Sequence, residues 1–215
     1  MLTHKISYDT ERFDFKRLIQ KHYGVENLTQ IDKWLNEEVP FFEDMTFDQS
    51  TDIHKHFYKI YDNDEFLSLY RLFLKEILQP GYGEALVYQA KPTFRVHLPN
   101  NVAVGDWHKD GDYNHQRTET NYWLPFTKAF GNNTIWIESE EDKGDYQAYD
   151  VEYGEVLVFK GSYLKHGNKP NDTGVCRVSV DFRVIPFSEY KQLEEQSSNL
   201  KLKFQIGSYY DLLEV

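Results

Sequence analysis

The chain has 215 residues, with 24 Lys and Arg against 35 Asp and Glu, for a formal net charge of −11. Its 40% hydrophobic and 16% aromatic content is that of a folded chain, which excludes disorder, and its length is most simply one domain spanning 1–215. The acidic balance argues against a nucleic-acid partner, since phosphates need clustered Lys and Arg, and no apolar run approaches the length of a membrane span.

Residues 9–78 carry a helical period, so 1–80 are predicted as a helical cover. Phe15, Leu18, Ile19 and His22 share one face, with Asp9 or Thr10 as the expected cap. Asn27 precedes Leu28, Ile31, Trp34 and Leu35, with Gln30 at the capping-box position. Ile53, Phe57 and Ile60 form a third face. Phe66, Leu69, Tyr70, Phe73 and Ile77 form a fourth, and Pro80-Gly81 is expected to end it. His54 and His56 sit two apart on a helix, so they point away from each other and cannot share a metal. Asp62-Asn63-Asp64 lacks the glycine and terminal glutamate of a calcium loop and reads as a turn and cap.

From residue 84 the period changes to two. Strands are predicted over 84–89, 93–98, 102–108, 118–124, 133–138, 145–150, 155–159, 163–167 and 174–184, with turns rich in Gly, Asn and Asp between them. Many short strands after a helical third indicate an α+β chain with a sandwich or jelly-roll core at 84–188, helices on one sheet, and a packed tail over 189–215. The alternation is directional. Phe94, Val96 and Leu98 oppose Arg95 and His97; Cys176, Val178, Val180 and Phe182 oppose Arg177, Ser179, Asp181 and Arg183. If the apolar face meets the helices, the polar face lines a cavity between sheets. An ordinary sandwich, polar face to water, stays open as the alternative.

The strongest chemical signal is Trp107-His108-Lys109-Asp110. In extended backbone, residues two apart point the same way, so His108 and Asp110 can face one metal. His166 ends a strand–turn–strand pattern and completes two histidines and a carboxylate, a facial set that holds Fe(II) and leaves positions open. His97 and His115 compete as ligands. Arg177 and Ser179 share a strand face, and a guanidinium beside a hydroxyl suits bidentate capture of a carboxylate; pairing of Arg177 with Asp181 is the plainer alternative. Arg95 either holds an anionic part of a substrate or pairs with Asp106.

In order and spacing, His108-Lys109-Asp110, Gly154 to Phe159 leading to His166-Gly167, and Arg177-Val178-Ser179 resemble the Fe(II)/2-oxoglutarate-dependent dioxygenases. The flavour is that of the phytanoyl-CoA-dioxygenase-like group. Arg95 to Pro99 and Tyr122 to Thr127 resemble its StrG-like branch of streptomycin biosynthesis. The resemblance spans roughly residues 84 to 188. It implies a double-stranded β-helix (cupin-like jelly roll), Fe(II) on His108, Asp110 and His166, and the distal carboxylate of 2-oxoglutarate on Arg177 with Ser179. Arg95 and Arg183 are next in line for that carboxylate. Because Asp110 is present, O₂-dependent hydroxylation is implied, with release of succinate and CO₂, and not halogenation. Arg95, His97, Asn121 and Trp123 are candidates for substrate contacts or for supporting the ligands. The expected partner is a small polar metabolite: a specialised metabolite, sugar, aminocyclitol or amino acid. A cupin-like metal enzyme without 2-oxoglutarate and a non-catalytic jelly-roll binding module are the competing readings. With one cysteine, Cys176, and no leader-like N-terminus, the expected compartment is the cytoplasm, so the Asn-x-Thr triplets at Asn27, Asn132 and Asn171 are chance matches.

Overall fold

The computed structural model describes residues 2–35, 51–103, 106–197 and 201–215. The helical region comprises α1 (Phe15–Tyr23), a 3₁₀ stretch Leu28–Trp34, α2 (Asp52–Tyr58) and α3 (Glu65–Phe73), which runs through a π turn into α4 (Gln79–Tyr82). The strands are β1 (Thr3–Ser7), β2 (Leu86–Gln89), β3 (Thr93–His97), β4 (Thr120–Pro125), β5 (Trp136–Ile137), β6 (Gln147–Ala148), β7 (Glu155–Phe159), β8 (His166–Gly167), β9 (Arg177–Pro186) and β10 (Tyr210–Leu213). Among the described residues, no helix is long and apolar enough to cross a membrane.

Seven strands form one antiparallel sheet in the order β1-β7-β4-β9-β2-β10, and β3 also pairs with β9. Three short strands, β6-β5-β8, form a second. The ten-residue β9 organises the large sheet: β4 lies along one edge, and β3 and then β2 share the other. Its parity decides what each face meets. Val178, Val180, Phe182 and Val184 join Phe94, Val96, Tyr122 and Val158 in a core shared with Phe15, Ile19, Phe57, Phe66 and Phe73 of the helices. Phe57 and Phe94 stack at 3.8 Å between ring centroids, a direct helix-to-sheet contact. The opposite face of β9 carries Arg177, Ser179, Asp181 and Arg183, so the apolar face meets the helices and the open alternative, polar face to water, is not the one adopted.

Several boundaries differ from expectation. Asp14, not Asp9 or Thr10, caps α1, its carboxylate accepting from Arg17 N at 3.1 Å; Asp9 caps the preceding turn instead. Gln30 sits at a kink and accepts from Lys33, so Asn27 caps without a capping box. Pro80-Gly81 does not end the helix. Pro80 falls in the first turn of α4, where its missing N–H costs nothing, and Gly83, at φ 70°, ends it. Asn63 Oδ1 accepts from Glu65 N at the start of the next helix, and Asp64, at its N-cap position, holds Ser68 and Arg71, as the turn-and-cap reading expects.

Of the expected strand 102–108, residues 104–105 lie outside the described residues, and of the remainder only His108 makes a ladder bridge. The strands expected over 133–138, 145–150 and 163–167 shrink to two residues each. Side chains take over their backbone bonds: the buried Glu138 carboxylate accepts from the N–H groups of Asp142, Gly144 and Lys165. Two strands, β1 and β10, were not expected at all. β10 makes the tail part of the sheet, with Phe204, Tyr209 and Tyr210 packed on Val87 and Ile185.

A candidate metal centre between the sheets

His108 and His166 pair directly. Each donates its backbone N–H to the other's carbonyl at 3.0 Å, which puts both rings on one side with centroids 4.7 Å apart. Lys109 is extended (φ −103°, ψ 138°), so Asp110 returns to that side. Asp110 itself opens a 3₁₀ turn, Asp110–Tyr113, and is not part of a strand, but one extended residue suffices for the H-x-D geometry. Ligand atoms of His108, Asp110 and His166 lie within 4.8 Å of one another.

The donors fit a transition-metal dication. His108 Nδ1–H donates to the Asp106 carbonyl at 2.7 Å, and His166 Nδ1–H donates to the Leu164 carbonyl at 2.9 Å. A carbonyl only accepts, so each Nδ1 carries the proton and each Nε2 offers its lone pair inward. Burial lowers His166 to about 4, partly offset by Asp110, which keeps the ring neutral for ligation. Asp110 Oδ1 faces His108 Nε2 at 3.5 Å and His166 Nε2 at 3.8 Å. Its Oδ2 is bonded elsewhere. Burial works to raise this carboxyl, but the Arg183 charge and the His108 contact prevail and hold Asp110 well below the ordinary range. Two imidazole nitrogens and one ionised carboxylate oxygen on one side of a cavity suit Fe(II).

The same cavity takes in Arg177, Arg95, Asn121, Trp123, Asp181 and Arg183 from the large sheet and Asn168 from beyond β8. Arg177 is buried. Its Nε donates to the Asn133 carbonyl at 3.0 Å and its Nη1 to Ser179 Oγ at 2.7 Å, and its guanidinium lies 5.2 Å from the Trp123 ring centre. Asp181 takes Arg95 at 3.0 Å and Arg183 at 2.9 Å. Arg95 therefore pairs with Asp181 rather than Asp106, because β3 and β9 are adjacent and Asp181 lies diagonally across from Arg95, two residues beyond its partner Ser179 on the same face.

His97 is no ligand. Its Nε2 lies 2.7 Å from the Asn101 carbonyl, and its Nδ1 3.2 Å from the Asn133 carbonyl that also holds Arg177. His115 is taken by Glu119 at 2.8 Å. Asn121 lines the cavity but serves Asp110: its Nδ2 donates to Oδ2 at 2.6 Å, while its Oδ1 accepts from Gly161 N. Arg183 also donates to Asp110 through Nε and Nη2, so its guanidinium is engaged with that carboxylate. Sequence reasoning missed that role and that of Asn133. It also missed Ile135 and Phe159, which make one cavity wall apolar; Phe159 ends β7, which is buried on both faces. The shared parity of residues 177 to 183 was the available signal for Arg183. His54 and His56 make separate contacts, with Thr51 Oγ1 and the His22 carbonyl, as their helical spacing requires.

No family model matches the chain. The chain is 39% identical over 211 residues to the streptomycin biosynthesis protein StrG of Streptomyces griseus, covering 96% of each. Among solved structures it resembles EctD from S. alaskensis with bound Fe (TM-score 0.50, 12% identity, 90% of this chain and 75% of that one). It also resembles SnoN, a non-heme alpha-ketoglutarate-dependent epimerase from nogalamycin biosynthesis (TM-score 0.50, 9% identity, 86% and 78%). At such identities the two structures speak to fold, whereas the first likeness extends over nearly the whole of both chains. The chain thus belongs to the StrG family, carried on the fold of the non-heme iron, 2-oxoglutarate-dependent oxygenases.

Proposed function

We propose that the protein is an Fe(II)- and 2-oxoglutarate-dependent oxygenase that uses O₂ to hydroxylate a compact polar small molecule, with release of succinate and CO₂. One observation carries this reading: His108 and His166 of a His-Asp-His donor set line the same cavity as Arg177, whose guanidinium is bonded to the Ser179 hydroxyl. Bound Fe(II) supplies the oxidising chemistry, which no side chain provides. His108 and His166 hold it through Nε2 and Asp110 through Oδ1. Arg177, set by the Asn133 carbonyl, and Ser179 receive the distal carboxylate of 2-oxoglutarate. Trp123, Ile135 and Phe159 keep water from that end of the cavity.

The substrate class follows from the remaining wall. Arg95, Asp181 and Asn168 present donors and acceptors, and Arg95 Nη1 is buried with no hydrogen-bond partner among the described residues. Such an orphan donor favours a ligand that brings an acceptor. Tyr113, 41% exposed, lies edge-on to His108 and gives the mouth an aromatic rim. A sugar, aminocyclitol, amino acid or similar specialised metabolite suits this lining, and StrG and SnoN, by their names, belong to streptomycin and nogalamycin biosynthesis. This reading involves neither nucleic acid nor membrane, and it implies the cytoplasm as the compartment. The test has two stages. Anaerobic addition of 2-oxoglutarate to the Fe(II)-loaded protein is expected to give a visible charge-transfer band; no band would favour a cupin-like enzyme that does without 2-oxoglutarate. A substrate panel then scores succinate release coupled to a mass gain of one oxygen. Coupled turnover of a fatty acyl thioester, with none of the polar compounds, would overturn the substrate class.

A further inference from the structure

From the geometry we infer that Arg183, held from behind by the C-terminal strand, is a positioning residue that restricts Asp110 to one ligating oxygen. This inference rests on the metal-centre reading above. Asp110 Oδ2 accepts three hydrogen bonds, from Asn121 Nδ2 at 2.6 Å, Arg183 Nη2 at 2.9 Å and Arg183 Nε at 3.1 Å. Those bonds saturate that oxygen and fix the plane of the carboxylate, leaving Oδ1 towards the two imidazoles. A carboxylate free to turn can ligate through both oxygens. It would then fill a position that a chelating co-substrate or O₂ must take, so single-oxygen ligation keeps the facial set open.

Arg183 is itself clamped. Its Nη1 donates to Asp181 Oδ2 at 2.9 Å and to Gln89 Oε1 at 3.2 Å. The Gln89 amide is oriented by its own bonds to the Lys91 carbonyl and Thr93 Oγ1. Gln89 is the ladder partner of Tyr210 in β10. The Tyr210 hydroxyl donates to Glu119 Oε1 at 2.5 Å, and the other oxygen of this fully buried carboxylate lies 4.0 Å from Arg183 Nε. The last strand thus pairs with the backbone of Gln89 and bonds the carboxylate of Glu119, the two residues whose side chains flank Arg183, and the tail beyond β9 becomes part of the metal site's support.

The guanidinium carries both a charge and a fork, and the two make different predictions. The charge keeps Asp110 ionised while repelling a dication, and it does both without regard to direction; the fork orients the ligand. Arg183→Lys keeps the charge, and with it the compensation of Asp110 and Asp181, but loses the fork. The probe is Co(II) alone, titrated into the full-length metal-free protein, with affinity and the d–d absorption spectrum as readouts and melting temperature as the folding control. Arg183→Lys is expected to bind Co(II) 10- to 100-fold more weakly, the usual effect of removing a partner of a metal ligand, with an altered d–d spectrum. Tyr210→Phe leaves the ligands and both donors to Asp110 in place, removes only the bond to Glu119, and is expected to weaken binding several-fold. Wild-type affinity and spectrum in Arg183→Lys would overturn the role of Arg183. If that variant does not fold, Tyr210→Phe and Gln89→Ala decide, and wild-type behaviour in both overturns the network. Failure of the wild type to bind one Co(II) would instead overturn the metal-centre reading, a result distinct from either.

Discussion

Replacing Arg177 by Ala is the most telling single change to the co-substrate site. The side chain is 1% exposed, and the Asn133 carbonyl and Ser179 hydroxyl aim it. Arg95 pairs with Asp181, and Arg183 with Asp110 and Asp181. Losing one partner of a desolvated, hydrogen-bonded charge pair costs about 2–5 kcal/mol. That corresponds to binding of 2-oxoglutarate weaker by roughly 30-fold to several thousand-fold. Metal binding should change little, because Arg177 donates to none of the three ligands. Arg177→Lys retains the charge but loses the planar fork, so it should fall between Ala and wild type. The assay is an anaerobic titration of 2-oxoglutarate into Fe(II)-loaded protein, read by visible absorbance, beside a separate metal titration. A folded Arg177→Ala variant that binds metal and also binds 2-oxoglutarate as tightly as wild type would refute the assignment.

Gly161→Ala should damage the metal site from outside it. A Cβ there would lie 2.6 Å from Asn121 Nδ2, the atom that holds Asp110, so metal titration is expected to show weaker binding; unchanged affinity would mean that Asn121 is dispensable. Phe94→Ala should cost about 3–5 kcal/mol, because the ring is fully buried and stacked on Phe57, and chemical denaturation measures the loss. Acid should destabilise the metal-free protein through its buried histidines. Burial depresses His54 and His97 to about 3 and His166 to about 4. Below the unfolded value near 6.5, the unfolded chain takes up protons that the folded one refuses, so stability falls as pH drops from about 6.5 towards 3–4. At pH 5 each such group contributes a loss of about 2 kcal/mol. Melting temperatures at pH 7 and pH 5 check this, and His54→Phe should make the fall shallower; an equal fall in the variant would remove His54 from the account.

The triad was legible because it depends on local geometry: one extended residue between His108 and Asp110 fixes their common side whatever surrounds them. The layering was legible because β9 alternates over ten residues, long enough for parity to show which face meets the helices. The edges of the sheet were not legible. β1 pairs with β7 across some 150 residues, and its five residues alternate too weakly to announce a strand. β10 likewise exists because β2 offers it an edge. The partners of the arginines were hidden for a related reason. Parity put Arg95, Asp181 and Arg183 on one face, but which acid meets which base depends on strand register, which turns and bulges decide from outside the strand. Asp110 could be recognised as a ligand, whereas the side chains that hold its other oxygen come from β4 and β9, far away in the chain.

The central claim is that this cavity couples iron to 2-oxoglutarate, and release of CO₂ from 2-oxoglutarate labelled at C1 tests it most directly. Purified protein should release label only when Fe(II) and O₂ are both present. His166→Ala, removing one of the three ligands, should reduce release to background while the fold persists. Label released equally by wild type and His166→Ala, or no release from wild-type protein shown to hold one iron with a full substrate panel present, would contradict it.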